Sequence, residues 1–296
     1  MTRFGGIEAG GTKFVCGVGT GPADLEKIVF PTTTPTETAA RAIEFFRNKG
    51  IEQLGIASFG PVDLNPSSPT FGYITSTPKA GWRNFDIVGT MKRALDVDAA
   101  FDTDVNGSAL AEAQWGAARG LTDALYLTVG TGIGGGAIVG GKLVHGLRHP
   151  EMGHIRIPHD RDTDPFAGCC PFHEDCLEGL ASGKAMEVRW GCIAENLDAG
   201  HRGWDLEARY LALGLMNWVC TLSPQRMIIG GGVVKNPRLL PMVRQQLEEL
   251  LNGYVPAPDV VEPGLGDNAG VLGAIALAMD SVESPRRPLQ IVAETP

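Results

Sequence analysis

Two short apolar runs open the chain, Gly6-Ile7-Glu8-Ala9 and Phe14-Val15-Cys16-Gly17-Val18, and Gly10-Gly11-Thr12-Lys13 stands between them. The pattern predicts a β-hairpin turning on glycine. Residues 36–49 place apolar side chains at helical spacing, and 54–59 form an apolar strand stopped by Gly60-Pro61. The stretch 65–82 is rich in Pro, Ser and Thr and predicts loop. Helices over 85–95 and 107–118 bracket a strand at 99–102. A second round follows: a strand at 125–129, the turn Gly130-Thr131-Gly132, and a glycine-rich strand at 133–139. Helices at 206–222, 237–252 and 269–279 and a strand at 226–229, ending in Gly230-Gly231-Gly232, complete the series. Strands alternate with helices throughout, so the class is α/β. Two glycine hairpins, each opening an α/β half, suggest internal duplication. The tail after Ser284 is expected to be loosely ordered.

Composition narrows the function. The 296 residues are 43% hydrophobic and 20% charged, which is ordinary for a soluble globular protein. A net charge of −9 without a Lys/Arg cluster argues against nucleic acid as a partner. The N-terminus lacks the apolar core of a signal peptide, and the apolar stretch 269–279 is too short to span a bilayer. The expectation is a cytoplasmic protein with no membrane partner. The 40 glycines are clustered, which marks turns that need unusual backbone angles or close approach to a ligand.

Three of those clusters follow strands: Gly10-Gly11-Thr12, Gly130-Thr131-Gly132 and Gly230-Gly231-Gly232. Backbone N–H groups freed of Cβ neighbours can cradle phosphate. A plain hairpin explains any single turn; three at regular places in a duplicated chain point to a nucleotide. None matches the P-loop or dinucleotide fingerprints. Lys13 offers either a phosphate contact or an exposed strand lysine. Asp102-Thr103-Asp104-Val105-Asn106 lies between a strand and a helix, at the sheet edge where α/β proteins bind ligands. Its acids suit proton transfer, but Asp104 or Asn106 capping the next helix explains them equally.

Cysteine usage supplies a second chemistry. Of six cysteines, Cys169, Cys170 and Cys176 crowd one segment. Cys170-x-x-His173-x-x-Cys176, with His154 as fourth ligand, is a tetrahedral set that leaves no open position, so the expected metal is a structural zinc. Cys169 is an alternative to Cys170. Cys16, Cys192 and Cys220 lie in apolar surroundings and read as small core residues.

These motifs together resemble the ROK (repressor, open reading frame, kinase) family. Residues 6–13 look like its first phosphate motif, 127–135 like its second, and 229–233 like its adenosine motif, so the likeness spans nearly the whole chain. The resemblance implies a two-lobed actin-like ATPase (ribonuclease H-like) fold with the ligand cleft between lobes. The first lobe would be 1–117, completed by a C-terminal helix within about 269–296; the second would be 118–268, with the zinc loop at 154–176. It implies ATP and Mg²⁺, with Glu8 and Asp104 in the magnesium shell; Glu8 replaces the family's usual Asp, as in the fructokinase branch. The family's Asn-Asp-Ala-Asn motif falls on 103–106, making Asp104 the catalytic base and Asn106 a sugar contact. Sugar contacts are also implied at Glu151, His154 and Glu178. Lys79 stands where most members carry Asn, and Pro171 and His173 depart from the usual cysteine motif, both as in the fructokinase branch. Gly60-Pro61 is expected to line the same cleft. The implied reaction is ATP-dependent phosphorylation of D-fructose, with another hexose as the alternative, in a homodimer. Repressors of the family carry a DNA-binding domain before the first phosphate motif, which here begins at Gly10. A sensor without turnover would have no use for Asp104.

Overall fold

The computed structural model describes residues 3–283. The tail after Ser284 and the end of the expected C-terminal segment lie outside the described residues. The first half runs β1 (Phe4–Ala9), β2 (Lys13–Gly19), β3 (Glu26–Pro31), α1 (Pro35–Phe46), β4 (Gln53–Ser58), the short pair β5 (Tyr73–Ile74) and β6 (Phe85–Asp86), α2 (Ile87–Leu95), β7 (Asp98–Thr103) and α3 (Asp104–Trp115). The second runs β8 (Ala124–Val129), β9 (Ile133–Val139), β10 (Lys142–Leu143), α4 (Leu177–Ala181), α5 (Gly183–Trp190), α6 (Gly203–Leu222), β11 (Arg226–Gly230), α7 (Leu239–Leu251), β12 (Asp259–Val261) and α8 (Ala269–Glu283).

Each half builds one five-stranded sheet. The orders are β3-β2-β1-β4-β7 and β10-β9-β8-β11-β12. In both, the leading hairpin is antiparallel and the last two strands join parallel. The expected duplication is therefore present in topology. Parallel strands buried on both faces read as continuous apolar runs, and Leu54 and Ile56 of β4 are fully buried. One face of the first sheet carries a core with Phe14, Phe46, Trp82 and Phe101, beneath α1 and α2. On the other face α8 packs against β1, β4 and α3, although it follows the second sheet in sequence. Gly107 and Gly273 make that crossing close: a Cβ on Gly273 would lie 2.2 Å from the Gly107 carbonyl carbon. The second half has its own core around Leu127, Met186, Leu211 and Ile229.

Several element ends differ from the sequence pattern, each for a local reason. Asp86 belongs to β6 and caps α2 by accepting from the Gly89 N–H at 2.7 Å, so that helix starts after it. The helix expected from 107 starts at Asp104, because Thr103 caps it by accepting from the Asn106 N–H at 3.2 Å. Neither Asp104 nor Asn106 is therefore the cap. Both occupy the first turn of α3.

Candidate active site

The three glycine turns converge on one cleft of about 740 Å³, at the carboxyl ends of the central strands of both sheets. That volume suits a nucleotide-sized ligand. Gly10, Gly11, Thr12, Lys13, Gly130, Gly230, Gly231 and Gly232 line it, with Glu8 and Asp104. Thr131 and Gly132 do not: Gly132 sits under the Glu178 carboxylate, whose Oε2 accepts from the Ile133 N–H at 2.9 Å. The first turn is closed by Gly10 N–H donating to the Lys13 carbonyl at 3.0 Å, the second by Gly130 N–H donating to Gly132 at 2.9 Å. Gly231 has φ +103°, and a Cβ there would lie 2.3 Å from the Val129 carbonyl oxygen. Only glycine lets the third turn press against the second. Tyr126, Val234, Lys235, Glu262 and Pro263 complete the wall, and no sequence motif marks them.

Two partly buried acids face this cleft. Burial holds the Asp104 carboxyl up at about 6, and only the neighbouring backbone N–H groups and the charge of His149 oppose it. Burial likewise raises Glu8 to about 7, against partial compensation from Lys13. Glu8 Oε2 is buried without a hydrogen-bond partner among the described residues. Two desolvated carboxyls with an orphaned oxygen fit a hard divalent cation bound through oxygen, as magnesium is.

The zinc-type cluster assembles from three segments. His154 ends a single 3-10 turn (Met152–His154), Cys170 and His173 belong to a tight turn, and Cys176 precedes α4. Their ligand atoms all lie within 4.8 Å of one another. Cys176 Sγ stands 3.5 Å from His154 Nδ1, and Cys170 Sγ stands 3.7 and 3.8 Å from Nδ1 of His154 and His173. Tetrahedral zinc with two sulfur and two nitrogen ligands needs S···N edges of about 3.6 Å. Burial pushes the Cys176 thiol up to about 11, so a thiolate there needs a cation beside it. Cys170, and not Cys169, contributes the sulfur.

The cluster lies against the cleft through one residue. Glu178, in the first turn of α4, holds the second glycine turn with Oε2 while its Oε1 stands 3.9 Å from His154 Nε2. His154 thus aims Nδ1 at the cysteines and Nε2 at Glu178. Glu151 is half-exposed, and its Oε1 lies 3.4 Å from Nδ1 of the buried His149. His149 Nε2 in turn accepts from the Val62 N–H at 3.2 Å, beside the Gly60-Pro61 turn. Lys79 lies on the turn before Trp82 and makes no side-chain hydrogen bond or ion pair among the described residues.

Asn106 lies behind Asp104 in the first turn of α3. It is 1% exposed, and its Nδ2 donates to Asp102 Oδ1 at 2.8 Å. The Asn106 Oδ1 is buried without a hydrogen-bond partner among the described residues. Asp102 is itself fully buried, held as a carboxylate below its ordinary range by His145, whose Nε2 lies 2.7 Å from Oδ2, by Asn106 and by the Thr103 N–H. The sequence pattern singled out neither His145 nor His149. Both lie in the loop between β10 and Glu151, where periodicity carries no signal.

Among the described residues no helix is long and apolar enough to cross a membrane. The ROK family profile matches residues 4–281. A fructokinase from Lactococcus lactis subsp. cremoris is 45% identical over 260 residues, 88% of this chain and 89% of that one. One from Zymomonas mobilis subsp. mobilis is 45% identical over 293 residues, 93% and 96% of the two chains. Among solved structures, a ROK hexokinase from Thermus thermophilus superposes with a TM-score of 0.80 at 31% identity, covering 95% of this chain and 99% of that one. With a duplicated sheet, three glycine turns on one cleft and relatives matched end to end, the chain belongs to the ROK family and has its actin-like ATPase fold.

Proposed function

We propose that this protein is a fructokinase that transfers the γ-phosphoryl group of ATP to D-fructose, giving fructose 6-phosphate and ADP. The observation that carries the reading is Asp104: a partly buried carboxyl in the same cleft as the glycine turns, at the helix start where an acceptor hydroxyl would be presented. The glycine turns, with Thr12 and Lys13, hold the triphosphate through N–H groups and one ammonium. Asp104 takes the proton of the attacking hydroxyl as its oxygen bonds to the γ-phosphorus; the bond from that phosphorus to the bridging oxygen breaks and ADP leaves. Glu8 and Asp104 would hold magnesium, which when bound would supply charge neutralisation at the phosphates. Glu151 and Glu178 accept hydrogen bonds from sugar hydroxyls, with His154 Nε2 beside Glu178 and the Gly60 turn and Lys79 at the rim.

The fructose assignment rests on the Lactococcus and Zymomonas fructokinases at 45% identity. His154, Cys170, His173 and Cys176 hold a structural zinc that fastens the loop carrying Glu178. Residues 1–117 with α8 form one lobe and 118–268 the other, and closure between them excludes water. A cytoplasmic homodimer is the matching assembly. A coupled ADP-release assay with Mg²⁺-ATP against fructose, mannose, glucose and N-acetylmannosamine tests the activity. Fructose turnover at the highest kcat/KM supports it; a different preferred hexose replaces the sugar and keeps the kinase; no turnover with folded, metal-replete protein sinks both.

A further inference from the structure

The buried acid Asp102 takes no part in the reaction proposed above. It stands two residues before Asp104, at the end of β7; besides the Thr103 N–H, two side chains meet it: Asn106 Nδ2 at 2.8 Å on Oδ1, and His145 Nε2 at 2.7 Å on Oδ2. Asn106 Nδ2 is also 3.4 Å from His145 Nε2, so the three form one cluster. Asp102 is fully buried and Asn106 is 1% exposed, whereas the His145 side chain is 30% exposed. The trio therefore meets solvent through the imidazole.

Geometry fixes which nitrogen of that imidazole meets Asp102. A carboxylate only accepts, so the ring nitrogen at 2.7 Å from it, Nε2, carries a proton. In the neutral ring Nδ1 is then an acceptor, and it makes no hydrogen bond among the described residues. Four residues on, His149 bonds the backbone beside the Gly60 turn and faces Glu151. The segment 145–151 therefore runs from the foot of Asp104's helix to the carboxylate proposed for the sugar.

We infer that His145 is a sugar-binding residue, accepting a hydrogen bond at Nδ1 from a hydroxyl of the bound hexose, and that Asp102 and Asn106 are positioning residues that fix its ring. This rests on the sugar-kinase reading above. It adds a contact beside the one expected at Asn106, whose Nδ2 is held by Asp102. A neutral polyol suits such a site, because an oriented lone pair rewards a hydroxyl at one position and rejects an analogue that lacks it.

The test uses two substitutions that split the ring. In His145→Gln the amide reaches about as far as Nε2 and keeps the bond to Asp102, but nothing replaces Nδ1; His145→Asn does the reverse. Binding of fructose and of Mg²⁺-ATP to each full-length, zinc-loaded variant is measured by calorimetry, with thermal melting as a check on folding. The expected result is that His145→Gln weakens fructose binding about tenfold or more with nucleotide binding within about twofold, while His145→Asn keeps fructose within about threefold. Fructose binding by His145→Gln equal to wild type overturns the inference, as does equal loss in both variants with a fall in melting temperature, which marks a purely structural pair. A wild-type protein that binds mannose or glucose instead is tested with that hexose. A wild-type protein that binds no hexose overturns the sugar-kinase reading, and the inference falls with it.

Discussion

Asp104 shows how one residue answers to both stability and chemistry. Its carboxyl ordinarily titrates at 3.8 and here titrates at about 6, because burial disfavours the charged form. A raised acid stabilises the fold fully below its unfolded value, and that contribution is lost as pH rises through about 6. Metal-free protein at pH 8 therefore carries a penalty of about 3 kcal/mol at this one site. Asp104→Asn keeps the Oδ1 that accepts from the Val105 N–H and removes the charge. The variant is expected to lose at least about three orders of magnitude in kcat. In EDTA at pH 8 it should also melt a few degrees higher than wild type. An unchanged kcat would remove Asp104 from the chemistry; a lower melting temperature would show that its charge is already compensated. In the wild type, kcat/KM for the sugar should fall as pH drops through about 6, since the base must be deprotonated.

Legibility at this scale followed sequence distance. Cys170, His173 and Cys176 are readable because they lie in one short segment, and their spacing is itself the signal. The Asp102–His145 pair is silent because its partners stand 43 residues apart, and only packing of α3 against β9 brings them together. Asn106 was legible as polar and near the site, but not as buried: a first-turn helical position does not say which way an amide faces.

Elements carry the next two predictions. The loop between the 3-10 turn at Met152–His154 and α4 contains few residues of regular structure, so the cluster is what closes it. Removing zinc with a chelator, or Cys176→Ser, should release one metal per chain by elemental analysis. Melting should fall by roughly 10 °C, with new proteolysis between 155 and 176. Protein that is metal-free as purified yet melts cooperatively and turns over sugar would exclude the structural role. The third glycine turn is the other test. Gly231→Ala adds a methyl 2.3 Å from the Val129 oxygen at a φ of +103°. A cost of about 2–4 kcal/mol in stability and a rise of about tenfold in KM for ATP are expected, with sugar binding by calorimetry unchanged. A wild-type KM for ATP would mean the turn does not hold phosphate.

The hairpins, the apolar strands and the long helices were readable because glycine punctuation and apolar runs are strong local signals. Helix starts were not. Thr103 and Asp86 decide them through one side-chain acceptor each, and neighbouring Asp and Asn residues offer equal candidates. α4 and α5 escaped because Leu177–Ala181 and Gly183–Trp190 are short and separated by the Ser182 cap.

Over the whole molecule, one buried acid ties the connection between halves at several points. Glu112, near the end of α3, accepts from the Ala117 N–H at 2.6 Å, from Gly264 at 3.0 Å and from Leu265 at 3.0 Å. It thereby ties the chain leaving the first sheet to the chain returning toward α8. Glu112→Ala leaves three N–H groups unpaired and should cost about 3–5 kcal/mol, measured by denaturant unfolding. A loss under about 1 kcal/mol would show that water replaces the carboxylate. Class and repeat order were legible at this scale; the return of α8 to the first sheet came from the family resemblance, since no local pattern says which sheet an apolar helix will cover.

The matching strand orders have a last consequence. In each sheet the fourth strand ends in a glycine turn and the fifth in an acid: Gly60 and Asp104 follow β4 and β7, while Gly230 and Glu262 follow β11 and β12. Under the proposed activity, one copy of this edge receives the acceptor and the other receives the donor. The matching strand orders thus set the same edge of each sheet on opposite partners of the transfer.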